Sequence, residues 1–177
     1  MERKETIDIK GNHWNHWFPC MSTHLVYYLL FLCMILSCST IRTEKGTKFD
    51  YFSNEAKNKF FKEEYQVTNL SDRMGMRLEG PKLDDTVNTN IKSEGLVKGV
   101  VQVPADGNPI IMFSDLGSIG GYPKIAVVIT ADHDRTAQLV PGSKIKFKEV
   151  DLDEAESLFK NYSKGIKGYL EKIKWVY

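Results

Sequence analysis

Two guanidiniums and two carboxylates fall within eight residues of one another: Asp72, Arg73, Arg77 and Glu79, in the string SDRMGMRLEGP over 71–81. Arginine presents a planar fork of donors that matches a carboxylate or phosphate two bonds at a time. Either Arg73 or Arg77 grips an anionic group on a substrate, or the four charges order one another as ion pairs. A second candidate is Glu94, in Ser93-Glu94-Gly95. It is an acid, base or metal-complex ligand, or else a turn carboxylate bonded to nearby amides. A third is the run Gly120-Gly121-Tyr122-Pro123-Lys124. Consecutive glycine N–H groups can form an anion nest without any side chain, with Lys124 adding charge beside it; a tight corner in a barrel uses the same residues. Arginine, lysine and backbone amides are the groups that stabilise negative charge developing on an oxygen. Glu79 or Glu94 can position water or move a proton.

Other familiar chemistries lack their residues. The sequence contains no GxxxxGK[ST] phosphate loop and no serine–histidine–aspartate set. Lys+Arg 24 against Asp+Glu 23 gives a formal charge of +1, so there is no basic field for nucleic acid. Cys20, Cys33 and Cys38 are confined to one end and match neither a disulfide framework nor a zinc motif. His13, His16 and His24 cluster there too, without a carboxylate beside them, and no metal site is expected. His133 has no evident partner and reads as a surface residue.

These candidates need elements to hold them. Val100, Val101 and Val103 precede Asp106-Gly107, and Ile110 to Phe113 follow it. Asp-Gly is a strong two-residue turn signal, so this is a β-hairpin with two apolar arms. Ile125 to Ile129 reads as a buried strand, Met76 to Glu79 as a short alternating one, and Tyr65 to Thr68 as another. Lys144, Lys146 and Lys148 alternate with Ile145 and Phe147, which gives a strand with one wet face. Ser53 caps a helix carrying Ala56, Phe60 and Phe61. Asp132 caps a short helix through Leu139. A capping-box-like start at Asp151–Glu154 opens a C-terminal helix, which Gly165 breaks or kinks. Short strands with turn signals imply a mainly β domain with a few short helices.

The chain divides into three parts. Residues 1–40 differ in composition from the remainder. Their run Leu25–Leu36, LVYYLLFLCMIL, is short for a membrane span and closer to an export signal. The balanced charges before it also suit a stretch translated out of frame. Residues 41–150 form the β domain, and residues 151–177 a helical tail. A cytoplasmic location is expected; membrane association or export would rest on residues 25–38 alone.

Ser71–Pro81, Ser93–Gly95 and Gly120–Pro123, in that order, resemble the motifs of the 5-oxoprolinase C-subunit family, also called allophanate hydrolase subunit 2 or biotin-dependent carboxyltransferase. The resemblance covers about residues 41–150, the C-terminal half of the family pattern. Gln102 and Gly99 also stand where the family has Gln and Gly. The family's paired threonines before the glycines are here Ser118 and Ile119, so one hydroxyl is lost. The resemblance implies a cyclophilin-like β-barrel and ATP-dependent opening of 5-oxoproline to glutamate, with ATP and possibly magnesium, alongside other 5-oxoprolinase subunits. Arg73, Arg77, Glu79 and Glu94 become catalytic candidates. Ser93, Gln102, Gly120, Gly121, Tyr122 and Lys124 become candidates for holding a lactam or amide substrate. Two alternatives stay open: the carboxyltransferase part of a urea-type, biotin-dependent carboxylase, and an inactive remnant. All the readings that assign chemistry expect the three motifs to meet at one pocket.

Overall fold

A computed structural model of the chain describes residues 38–83 and 91–173. The apolar run Leu25–Leu36 and the polar loop expected at 84–90 lie outside the described residues. Seven strands close into a barrel: β1 (Ser39–Lys45), β2 (Glu64–Val67), β3 (Gly75–Glu79), β5 (Val100–Gln102), β6 (Ile110–Met112), β8 (Lys124–Val128) and β9 (Lys144–Glu149). The order around the ring is β1-β8-β5-β6-β3-β2-β9. Neighbours are antiparallel except β9 and β1, which run parallel from Ser39 opposite Ile145 to Thr43 opposite Glu149 and so close the ring. A two-stranded ribbon, β4 (Glu94–Gly95) with β7 (Ile119–Gly120), forms a separate small sheet.

Period-two patterning decides which side chains turn inward. Ile41, Met76, Leu78, Val101, Ile111, Ile125, Ile145 and Phe147 belong to one buried cluster, while Lys144, Lys146 and Lys148 on β9 face water. Helix α1 (Asn54–Lys62) begins where the Ser53 hydroxyl accepts the Ala56 N–H at 3.1 Å. It lays Phe60 flat on Phe147, with ring centroids 4.2 Å apart.

Several local expectations are corrected. The hairpin between β5 and β6 forms, but its connection spans 103–109 rather than two residues. Pro104 and Pro109 have no N–H to give a ladder, and the tight turn is set back, with the Gly107 N–H bonding to the Pro104 carbonyl at 3.0 Å and Gly107 at φ 76°. Asp132 does not cap α2 (His133–Ala137) with its side chain. Instead, Arg42 on β1 takes its carboxylate with Nε at 3.0 Å and Nη2 at 2.5 Å, and Arg135 adds a bond at 2.8 Å. Burial pushes the Asp132 carboxyl up, yet the Arg42 hydrogen bonds outweigh it and leave Asp132 below its ordinary value. His133 is half-buried rather than on the surface: its Nε2 lies 3.0 Å from the Val128 carbonyl, against Gly99.

Helix α3 (Leu152–Ile173) runs unbroken through Gly165 and Gly168. Asp151 caps it by accepting the Glu154 N–H at 2.7 Å. Its first turns dock through Ala155 and Leu158 against Ile129 and Val150. Phe159, Ile166, Tyr169, Leu170 and Ile173 on the same stripe are exposed. Among the described residues no helix is long and apolar enough to cross a membrane.

Candidate functional site

A transverse row of register positions crosses four adjacent strands: Arg77 on β3 opposite Ile110 on β6, Ile110 opposite Gln102 on β5, and Gln102 opposite Lys124 on β8. Their sequence neighbours Met76, Leu78, Ile111, Val101 and Ile125 point into the core, so the row faces outward. Arg77 is exposed, as an outward residue should be, but Gln102 and Lys124 are buried. The β4–β7 ribbon lies over them. Gly120 permits that approach: a Cβ there would stand 2.7 Å from Gln102 Nε2 and 3.0 Å from Leu96 Cδ1. Gln102 Nε2 in turn reaches the Tyr122 carbonyl at 3.4 Å.

Glu94 sits at the centre of this covered patch. Its Oε2 accepts from Lys124 Nζ at 3.1 Å and its Oε1 pairs with Lys48 Nζ at 2.8 Å. The Lys124 side chain is only 3% exposed. The hydrogen bonds from Lys48 and then Lys124 hold the Glu94 carboxyl below its ordinary value, so at neutral pH it is a carboxylate with no proton to give. Two ammonium groups on one carboxylate leave a net positive charge, with Lys124 shielded and Lys48 and Glu94 partly exposed. That suits an anionic group or an oxygen gaining negative charge. Ser93 is exposed beside Gly121, and the Tyr122 ring is exposed at the edge.

The structure thus brings together Ser93, Glu94, Gln102, Gly120, Gly121, Tyr122 and Lys124. It adds Lys48, which no motif pointed to. Its only sequence signal is Gly46, whose Cβ would lie 2.3 Å from the Lys124 carbonyl; a bare backbone there lets the end of β1 reach β8. Arg73, Arg77 and Glu79 are not part of this cluster. β3 and β8 are three strands apart, the largest separation a seven-stranded ring allows. Arg73, 93% exposed, has its Nε 3.3 Å from Asp115. It borders a separate cleft of about 500 Å³ with Lys98, Phe113 and Leu139. Glu79 lies on another face beside Gln66. The expected single pocket is therefore divided: the second and third motifs meet in the ribbon, and the first lies across the ring from them.

A triphosphate needs several amides or free cations converging on it. Gly120 is instead paired within the ribbon, and neither it nor Gly121 has a positive φ. Lys48 and Lys124 are already shared with Glu94. Among the described residues these groups do not form a nucleotide cradle.

The fold and site define a closed, mainly β barrel with a cationic, carboxylate-bridged patch under a glycine ribbon. The family described as carboxyltransferase domain, subdomain A and B, matches residues 35–149, and the chain belongs to that family. It is 36% identical over 135 residues to the C subunit of 5-oxoprolinase from Escherichia coli (strain K12), covering 76% of this chain and 42% of that protein. The same-named protein of Haemophilus influenzae is 39% identical over 118 residues, 67% of this chain and 38% of that one. The chain therefore spans about two fifths of the length of these relatives. Among solved structures, the Kluyveromyces lactis urea amidolyase superposes with a TM-score of 0.69 at 27% identity, over 76% of this chain and 9% of that one.

Proposed function

We propose that the chain works as part of a 5-oxoprolinase, assisting ATP-dependent opening of 5-oxoproline to glutamate together with other subunits. The observation that carries this reading is the 36–39% identity to the 5-oxoprolinase C subunits over most of the chain. The Lys124–Glu94–Lys48 group, with Lys124 itself buried, is consistent with it. Opening a lactam places negative charge on the ring carbonyl oxygen, and an ammonium shielded from water stabilises such charge far better than one in bulk solvent. Lys124 is assigned that role. Glu94 orients the two lysines, and Gln102 and the Gly120 backbone shape the patch. Nucleotide handling is assigned to the partner subunits, because Lys48 and Lys124 are already shared with Glu94 and Gly120 is paired within the ribbon.

A second reading is favoured by the 0.69 superposition on urea amidolyase and by 30% identity over 128 residues to the Saccharomyces cerevisiae urea amidolyase. Under it, the patch would hold the carbonyl of a urea-type substrate during biotin-dependent carboxyl transfer. One assay separates the two. The chain is added to bacterial 5-oxoprolinase lacking only its C subunit, with ATP and 5-oxoproline, and glutamate is measured. Restored, ATP-dependent glutamate release is expected. No glutamate, but bicarbonate fixation onto urea by a biotin carboxylase partner that avidin blocks, would replace the first reading with the second.

A further inference from the structure

Lys48 and Lys124 reach Glu94 from different surroundings. The Lys124 side chain is enclosed, whereas that of Lys48 is 22% exposed and that of Glu94 34%. An ion pair open to water is weak, because salt screens it and a long side chain loses rotamer freedom to hold it. The 2.8 Å contact between Lys48 Nζ and Glu94 therefore needs further restraint. The backbone supplies part of it. The Gly46 N–H bonds to the Ile125 carbonyl at 2.9 Å and the Lys48 N–H to the Lys124 carbonyl at 3.1 Å, so the two lysines spring from backbones tied to one another. That fixes the root of the Lys48 side chain but not its flexible four-carbon stem.

Phe49–Tyr51 form a short 3-10 turn, with the Tyr51 N–H on the Lys48 carbonyl at 3.0 Å. In such a turn side chains three apart come side by side. Lys48 Nζ lies over the Tyr51 ring, 4.9 Å from its centroid. The negative face of the ring attracts the ammonium, while Glu94 Oε1 pairs with it. The two aromatics of the turn have different surroundings. Phe49 packs on Phe61 and the core; Tyr51 stays 55% exposed, so its burial contributes little to folding. We propose that Tyr51 is a positioning residue of the patch: its ring keeps Lys48 on Glu94 and so keeps a second positive charge beside Lys124. The placement stands on geometry, and its value to catalysis rests on the oxoprolinase reading. With Lys48 swung into water, Lys124 and Glu94 cancel and the patch loses its net positive charge. The hydrogen bond to Glu94 first, with Tyr51 adding to it, also holds the Lys48 ammonium above its ordinary value.

Two measurements test this, one of them independent of activity. In the full chain, the Glu94 carboxyl is titrated by carbon NMR. Lys48 and Lys124 face it, and both hold its midpoint down. Tyr51→Leu should raise that midpoint toward the ordinary carboxylate range, while Tyr51→Phe, which keeps a ring, should leave it where the parent has it. In the reconstituted enzyme, Tyr51→Leu should lower kcat about fivefold with KM kept. Tyr51→Phe should stay within about twofold of the parent, and Tyr51→Leu should cost nothing further in a Lys48→Met background. If the parent chain restores no glutamate release, the oxoprolinase reading fails and the Glu94 titration alone decides on Tyr51. An unmoved Glu94 midpoint in Tyr51→Leu overturns the proposal. So do equal effects of Tyr51→Leu and Tyr51→Phe, or losses from Tyr51→Leu and Lys48→Met that add.

Discussion

At the scale of single residues, the deciding feature is which cations hold each carboxylate. Glu94 and Asp132 both keep their carboxylates because cations donate to them directly. Their chemistry differs nonetheless. Asp132 is enclosed by two arginines and ties β1 to α2, a purely structural network. Glu94, on the glycine-bearing ribbon itself, bridges two lysines, with Ser93 and Tyr122 exposed at the edge. His133 supplies a prediction of its own. Burial pushes it below its ordinary value of 6.5, against the upward pull of the Val128 carbonyl. An unfolded chain therefore takes up the His133 proton first as pH falls, and stability drops from about pH 6.5 downward. The thermal midpoint should fall between pH 7.5 and pH 5.5, and His133→Gln should flatten that slope. An equally steep slope in the variant would mean that the histidine titrates alike in both states.

At the scale of elements, glycines fix where strands and ribbon can approach. Gly99 has φ 88°, and a Cβ there would lie 2.5 Å from His133 Nε2 and 2.9 Å from the Val128 carbonyl. Backbone and side chain both object, so Gly99→Ala should cost about 2–3 kcal/mol. Urea unfolding would register it as a lower midpoint at unchanged slope, and a stability within about 0.5 kcal/mol of the parent would show that the neighbours yield. Most elements were legible from patterning. β2, β3, β8, β9 and α1 follow from alternation, capping and helical spacing, and they appear close to where those signals end. The length of the β5–β6 connection was not legible, since Asp106-Gly107 signals a turn but not how many residues flank it. The outward burial of Gln102 and Lys124 was equally hidden. It depends on a ribbon built from residues far away in the chain, and local periodicity carries no information about what covers a strand.

At the scale of the whole molecule, closing seven strands into a ring determines which motifs can cooperate. The sequence order Ser71–Pro81, Ser93–Gly95, Gly120–Pro123 indicates a family but not a distance. Ring order then separates Arg73, Arg77 and Glu79 from the other candidates and unites the rest with Lys48. The bare half of α3 extends the same lesson beyond the barrel: its apolar repeat is plain in the sequence, but only the fold shows how little of it the chain covers by itself. Under the proposed function, Lys124, clamped by Glu94, stabilises the reacting carbonyl oxygen. The most direct test is ATP-dependent glutamate release by the reconstituted subunits with Lys124→Gln in place of the parent chain. A fall of about 100-fold or more is predicted, with the thermal midpoint nearly kept and Arg73→Ala close to the parent. Activity within twofold of the parent for Lys124→Gln, together with its loss in Arg73→Ala, would contradict the account and move the chemistry to the other side of the barrel.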